Sequence, residues 1–262
     1  MPLSDQEMRR LGAYDEIIEA AMEQEERRCK RMIGPYPCCT VVQGDCLELM
    51  KAIPDGAVDA VITDPPYEFV ASGGGLGAKR GYEKHYGALT NGFDVAMFSR
   101  FPNWMAFCSK NQLLKLMTAA EKSAGRWMLL TWNKPDPTPL CNGNYLPDTE
   151  YIVHRFDKLY GGYDERARFT VMIGGTREFH PTAKPLALME RLVRVASDVE
   201  QIILDPFCGS GTTLVAAKKL GRHFLGFEIS PEYCEIARRR LAEIDAQPSL
   251  FEPKPEQMTL EA

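Results

Sequence analysis

Asp64-Pro65-Pro66-Tyr67 combines residue types that could grip an amine. Asp64 offers a carboxylate acceptor. Each proline turns the residue before it away from helix and lacks an N–H, so the stretch presents mainly carbonyl acceptors. Tyr67 adds a flat ring able to stack on a base. The tetrapeptide follows an apolar run at 58–63, which predicts a loop at a strand's carboxyl end. Open α/β sheets place their ligands there. Taken alone, the same residues would serve equally well as a Pro-rich turn.

A second constellation bears on that choice. Asp205-Pro206-Phe207-Cys208-Gly209-Ser210-Gly211-Thr212-Thr213 reads as a strand, a glycine loop and a helix start. Gly209 and Gly211 let the backbone approach a ligand closely. Glu228 ends the next strand about twenty residues on, a spacing suited to ribose hydroxyls. A phosphate-binding P-loop needs Gly-Lys-Ser/Thr, whereas Thr212 and Thr213 follow Gly211 here. A dinucleotide fingerprint needs a third glycine. Asp205 would repel a pyrophosphate and suit an ammonium or sulfonium group. The adenosine, amino acid and sulfonium of S-adenosylmethionine (SAM) meet all of these demands.

Length and composition bound the frame that positions these residues. The chain has 262 residues, 45% of them hydrophobic, enough for one large α/β domain with an insertion or two small ones. No apolar run approaches the ~20 residues that span a bilayer. The acidic, amphipathic start lacks the basic and apolar segments of a signal peptide, which predicts a cytoplasmic protein without a membrane partner. The net charge of −5 weighs mildly against a nucleic-acid partner unless one face is locally basic. The eight cysteines include no C-x-x-C pair, which argues for reduced, buried thiols and for no metal.

In chain order, Ser4 with Glu7 matches a capping box, and apolar spacing predicts a helix over 4–32, stopped by Gly34-Pro35. A strand near 39–42, a helix over 46–52 behind Asp45, and the strand at 58–63 make a β-α-β unit. Residues 68–93 are rich in glycine, with Lys79 and Arg80 among aromatics; they read as a lid over the pocket or as surface disorder. Residues 94–124 read as two helices meeting near Cys108-Ser109. Strands follow at 126–132 and 149–156. The stretch 135–179 reads as a small insertion, with Arg166, Arg168 and Arg177 lending it local positive charge. A helix from 186, a strand at 201–204, a helix over 214–220, a strand at 223–227 and a helix from Pro231 capped by Ser230 complete a second β-α-β-α unit.

The combination of Asp64-Pro65-Pro66-Tyr67 with Asp205-Pro206-Phe207-Cys208-Gly209-Ser210-Gly211-Thr212 resembles the DNA amino-methyltransferases. The tetrapeptide precedes the glycine loop, as in the permuted β-type group that methylates adenine N6 or cytosine N4. Gly44-Asp45-Cys46, Trp132-Asn133-Lys134-Pro135 and His180-Pro181-Thr182-Ala183-Lys184-Pro185 add to the likeness, which covers roughly 38–245. It implies a Rossmann-like α/β sheet with helices on both faces and a small inserted target-recognition region. The expected organisation is an N-terminal helix at 1–35, a methyltransferase domain at 36–246 and a disordered tail at 247–262.

By the same resemblance, Asp205, Phe207, Gly209, Gly211 and Thr212 would line the methionine end of SAM, Glu228 would hold its ribose, Asp45 and Cys46 would meet its adenine, and Lys184 would pair with its carboxylate. Asp64 and the Pro65 carbonyl would hold the amine of a flipped-out base, with Pro66 completing the motif and Tyr67 stacking on the base. Aspartate in the first position favours adenine over cytosine. Lys79, Arg80, Arg166, Arg168 and Arg177 are the candidates for contacts to double-stranded DNA. The product would be S-adenosylhomocysteine. Amines of RNA or amides of protein remain alternative acceptors. A bacterial or phage-encoded protein of a restriction–modification setting, monomeric or homodimeric, is implied. In the tail, Gln247-Pro248-Ser249-Leu250-Phe251 resembles the short peptides that dock on sliding clamps. If it docks so, surface plasmon resonance will show clamp binding by the intact chain and none by the Leu250→Ala/Phe251→Ala variant; an intact chain that does not bind ends the idea.

Overall fold

The computed structural model describes residues 29–67, 93–137, 145–146, 148–161, 165–173 and 183–246. Most of the expected N-terminal helix, the glycine-rich stretch with Lys79 and Arg80, Arg177 and the tail lie outside the described residues.

A short ribbon opens the described chain. Strand β1 (Met32–Ile33) pairs antiparallel with β2 (Tyr36–Pro37) across Gly34-Pro35. The helix expected over 4–32 therefore does not reach its predicted end. Gly34 has φ +60°, and a Cβ there would lie 2.3 Å from the Ala52 carbonyl oxygen, so only glycine lets this turn pack so tightly.

Eight strands form the main sheet in the order β3-β10-β9-β4-β5-β7-β6-β8. They are β3 (Thr40–Gln43), β4 (Ala60–Thr63), β5 (Asn103–Cys108), β6 (Arg126–Asn133), β7 (Thr149–Phe156), β8 (Arg168–Thr170), β9 (Ile202–Asp205) and β10 (His223–Glu228). Every strand except β7 runs in one direction, because β5 and β6 each pair antiparallel with β7 and the remaining pairs are parallel. Helices α1 (Cys46–Leu49), α2 (Lys110–Lys122), α3 (Leu186–Ala196), α4 (Thr212–Lys219) and α5 (Pro231–Asp245) cover the sheet. Residues of α3, α4 and α5 share one buried core, and those of α1 and α2 share the other. The sheet is thus Rossmann-like and sandwiched between helices, as the sequence predicts.

Strand β5 is the main departure from expectation. Asn103-Trp104-Met105-Ala106-Phe107-Cys108 was expected within a helix and is a central strand, buried along its whole length. Met105 and Phe107 enter one core while Trp104, Ala106 and Cys108 enter the other. Both faces being covered, no polar alternation marks it as a strand. Residues 135–179, expected as an insertion, supply β7 and β8 to the main sheet.

Asn103 and His154 form a buried polar pair across β5 and β7. The Asn103 amide donates to the Ala196 carbonyl at 2.5 Å, and its Oδ1 lies 3.0 Å from His154 Nε2. Burial pushes the His154 imidazole down to about 3 from 6.5. In the unfolded chain His154 gains a proton first, so stability present above pH 6.5 is lost as pH falls towards 3, on the order of 5 kcal/mol in full. Urea titrations between pH 7 and pH 4 should show this acid-side loss, and His154→Gln should flatten it; an unchanged slope in the variant would contradict the assignment.

Candidate active site

The parallel strands end together, and the sequence motifs lie where they end. Asp64 follows β4, the glycine loop follows β9, and Gly44-Asp45 follows β3 beside the end of β10, where the Gly44 N–H donates to the Glu228 carbonyl at 2.9 Å. Since β7 runs the other way, its start rather than its end reaches this edge. That reversal delivers Glu150, which lies opposite Trp132 near the end of β6.

The two motifs touch through buried side chains. Thr63, the residue before Asp64, donates its hydroxyl to Asp205 Oδ1 at 2.6 Å, and the Phe207 N–H reaches the same oxygen at 3.1 Å. Burial raises the Asp205 carboxyl to about 6, against the hydrogen bonds from Thr213 and Thr63 that favour its charge.

Around Asp64 lies a network of two acids and two lysines. The Lys184 ammonium donates to Asp64 Oδ2 and lies 3.3 Å from Glu150 Oε2. Lys134 donates to Glu150 Oε1 at 2.5 Å, and the Tyr67 hydroxyl donates to Glu150 Oε2 at 3.1 Å. The Lys184 ammonium also sits 4.8 Å from the Phe107 ring centre and 5.6 Å from that of Tyr67. Burial pushes Asp64 upward against the pull of Lys184. Burial works to raise Glu150 as well, but Lys184 and Lys134 outweigh it and hold Glu150 below the usual carboxylate range. Burial opposes the Lys184 charge, yet Asp64 and Glu150 keep its pKa above the ordinary value. Asp64 Oδ1 is buried without a hydrogen-bond partner among the described residues.

The tetrapeptide is pinned from behind. Gln112 donates to the Pro66 carbonyl at 2.8 Å while its Oε1 accepts the Ser109 N–H that starts α2. Ser109-x-x-Gln112 is a capping-box spacing and could have flagged this helix start from sequence. Glu150, Gln112, Thr63 and Lys134 are site residues to which sequence reading gave no site role. Glu150 carried no local signal beyond its place in a strand.

The glycine loop turns on two residues with positive φ. A Cβ on Gly209 (φ +51°) would meet nothing within 4 Å, so open space faces this point of the loop. Gly211 (φ +80°) is the N-cap of α4, and a Cβ there would come 2.9 Å from Ala237 Cβ. Glu228 accepts the Gly209 N–H at 2.9 Å and the Ser230 N–H at 2.8 Å, fixing the carboxylate beside the loop. Phe207 is half-buried with its ring edge-on to Phe93, and Thr212 is buried at the start of α4. Asp45 is exposed and caps α1 through the Leu47 N–H; Cys46 is buried and its thiol is pushed up to about 12 by burial and the nearby Asp45. Arg166 and Arg168 are exposed, Arg168 in the edge strand β8 and Arg166 just before it. Lys184, expected at a cofactor carboxylate, here bridges Asp64 and Glu150.

An acid raised to about 6 in the fold from 3.8 holds its proton more tightly folded than unfolded. This stabilisation is complete below about pH 4 and lost as pH rises through 6, on the order of 3 kcal/mol. Asp205→Asn cannot titrate and keeps an acceptor for Thr63. Its stability relative to the parent chain should therefore climb by about that amount between pH 4 and 7 in guanidinium melts; a pH-independent difference would refute the buried carboxylate.

Comparison with known proteins agrees with this geometry. The family described as DNA methylase matches residues 162–239. The type II methyltransferase M2.MboI of Moraxella bovis is 28% identical over 78% of this chain and 88% of its own length. M.HinfI of Haemophilus influenzae, also a type II methyltransferase, is 28% identical over 81% of this chain and 71% of its own. The crystal structure of an M1.HpyAVI–SAM complex superposes with a TM-score of 0.59 at 26% identity, covering 77% of this chain and 98% of that one. The cytosine-N4-specific PvuII DNA methyltransferase shares the fold, with a TM-score of 0.58 at 16% identity over 79% of this chain and 89% of its own. By fold, motif order and these matches, the chain is similar to the N6/N4 DNA methyltransferases.

Proposed function

We propose that the protein transfers a methyl group from SAM to the exocyclic N6 amine of an adenine flipped out of double-stranded DNA. The observation that carries this reading is Asp64 Oδ1, a buried carboxylate oxygen without a partner among the described residues, close to the glycine loop that Thr63 and Asp205 tie to the tetrapeptide. Such an oxygen gains most from an N–H donor.

The residues of the cleft fit SAM. Gly209 leaves space where a ligand would approach, Glu228 offers a carboxylate to ribose hydroxyls, and Asp205 and Phe207 line the loop between them. Asp45 and Cys46, at the end of β3, are placed for the adenine ring. When bound, SAM supplies a sulfonium methyl and departs as the neutral thioether S-adenosylhomocysteine.

The chain's own residues prepare the nucleophile. An adenine amine is a poor one because its lone pair is delocalised into the ring. Asp64 Oδ1 and the Pro65 carbonyl accept its two N–H bonds, which favours a pyramidal nitrogen with its lone pair aimed across the cleft. SAM held opposite would supply the methyl group, its sulfur–carbon bond breaking as the nitrogen–carbon bond formed and its electron pair staying on sulfur. The surplus proton on nitrogen becomes acidic only after transfer, so Asp64 need not act as a strong base. Alignment of this kind can supply up to ~7–11 kcal/mol of a barrier. Lys184 holds the other Asp64 oxygen and so turns Oδ1 to the substrate. Tyr67, fixed through Glu150, would form the wall on which the base stacks. Extrusion of the base from the duplex costs a few kcal/mol, as for other enzymes that work on bases. Arg166 and Arg168 are exposed and available to phosphates, and Lys79, Arg80 and Arg177 remain candidates for the same role. An aspartate at position 64, where cytosine-N4 enzymes more often carry serine, favours adenine.

The decisive assay incubates the protein with SAM and mixed-sequence duplex DNA, digests the DNA and identifies methylated nucleosides by mass spectrometry. N6-methyladenine is expected, with Asp64→Ala slower by roughly 10²–10³-fold and SAM binding by calorimetry little changed. N4-methylcytosine would overturn the base assignment, and methylation of RNA alone would overturn the substrate class.

A further inference from the structure

At the opposite end of the sheet from Asp64, the fold gathers four soft donors from separate parts of the chain. Cys29 precedes the ribbon, Cys38 and Cys39 lead from it into β3, and His223 opens β10. Their donor atoms all lie within 4.8 Å of one another. Cys38 Sγ is 3.6 Å from Cys39 Sγ, and these sulfurs are 3.4 Å and 3.6 Å from His223 Nδ1. A zinc ion with bonds of about 2.3 Å to sulfur and 2.0–2.1 Å to nitrogen sets tetrahedral edges near 3.8 Å between sulfurs and 3.6 Å between sulfur and nitrogen. The three separations among Cys38, Cys39 and His223 match those edges to within a few tenths of an ångström, and Cys29 Sγ lies within 4.8 Å of each of them.

The surroundings match a metal centre as well. His223 presents Nδ1 to the sulfurs, while its Nε2 lies 3.1 Å from Glu200 Oε2. A carboxylate on the far nitrogen of a histidine is how metal sites fix the ring and its tautomer. Glu200 is in turn held by Arg31, which reaches both its carboxylate, at 3.5 Å, and its carbonyl, at 3.1 Å. Among the described residues, Cys39 (φ 59°) and Glu200 (φ 66°) are the two non-glycine residues with positive φ. Both face His223, one at each ring nitrogen. Backbone held in a sparsely populated region tends to mark a site whose side-chain geometry matters.

We propose that Cys29, Cys38, Cys39 and His223 form a closed structural zinc site. Three thiolates and an imidazole complete a tetrahedron and leave no position for water or substrate, so the ion serves the fold rather than the chemistry. It ties the β1–β2 ribbon and the segment before it to the amino ends of β3 and β10. Spacing in the sequence argued against a metal because no C-x-x-C pair exists; here the adjacent Cys38 and Cys39 are completed by donors 9 residues upstream and 184 residues downstream, counted from Cys38 to Cys29 and from Cys39 to His223.

The test uses the full chain purified under reducing conditions without chelator. Inductively coupled plasma and native mass spectrometry should find zinc at one equivalent per chain. Cobalt(II) in its place should show thiolate charge transfer in the near ultraviolet and tetrahedral ligand-field bands in the red. Cys29→Ser and His223→Ala should lose the metal, Cys234→Ala should keep it, and Glu200→Gln should lower zinc affinity by about 10–100-fold in chelator competition. Because variants could misfold, the parent chain alone also decides. A folded parent free of zinc whose cobalt spectrum lacks thiolate bands overturns the site. So does a Cys29–Cys38 disulfide found by peptide mapping.

Discussion

The hydrogen bond between Thr63 and Asp205 is the constraint on which the site depends. These residues end neighbouring parallel strands, and the loops that leave them carry the Asp64-Pro65-Pro66-Tyr67 tetrapeptide and the glycine turn. Parallel pairing of β4 with β9 brings the loops side by side, and the buried hydroxyl–carboxylate bond, 2.6 Å long, ties their bases together. Transfer between two bound reactants is sensitive to placement at the ångström level. A bond between the bases of the two loops is therefore worth more to the chemistry than its modest contribution to stability. Holding Asp205 in a buried place costs stability at neutral pH, and that cost falls on the residue that links the motifs.

The lysine–acid network extends the same logic. Two carboxylates and two ammonium groups balance in charge, but taking them out of water is expensive, and a hydrophobic replacement of equal volume would often be as stable. Its use lies in direction. Lys184 takes one oxygen of Asp64 and leaves the other buried without a partner among the described residues; Glu150 holds Lys184, Lys134 and Tyr67 in one arrangement. The reversed strand β7 makes this arrangement possible, since only a strand running against the others can place its first residues where its neighbours end.

What could be read from the sequence follows from how local each signal is. The tetrapeptide, the glycine loop, the Ser230 cap and the amphipathic α3 announce themselves within a few residues, and the structure places them as their spacing predicts. Strand β5 did not, because Trp104, Met105, Ala106 and Phe107 are buried on both faces, and a short apolar run without alternation has no period to distinguish strand from helix. Glu150 was legible as a strand residue but not as a site residue, since its role depends on the direction of β7 in the sheet. Lys184 was singled out for the cofactor's carboxylate, and its pairing with Asp64 needed the third dimension.

The cysteine cluster shows the same limit from the other side. Metal sites are read in sequence from donors close together, whereas here the parallel pairing of β3 with β10 carries out the assembly by placing Cys39 beside Phe224 through a 2.8 Å backbone bond, one residue from His223. The strands that end at the glycine loop and at Glu228 are thus the ones whose beginnings carry Glu200 and His223. Anchoring those beginnings resists sliding of β3 against β10, and with it displacement of Asp45 from Glu228 at the far end. A closed metal site at one end of the sheet and the motif-bearing loops at the other are consistent with one division of labour, in which rigidity is built away from those loops.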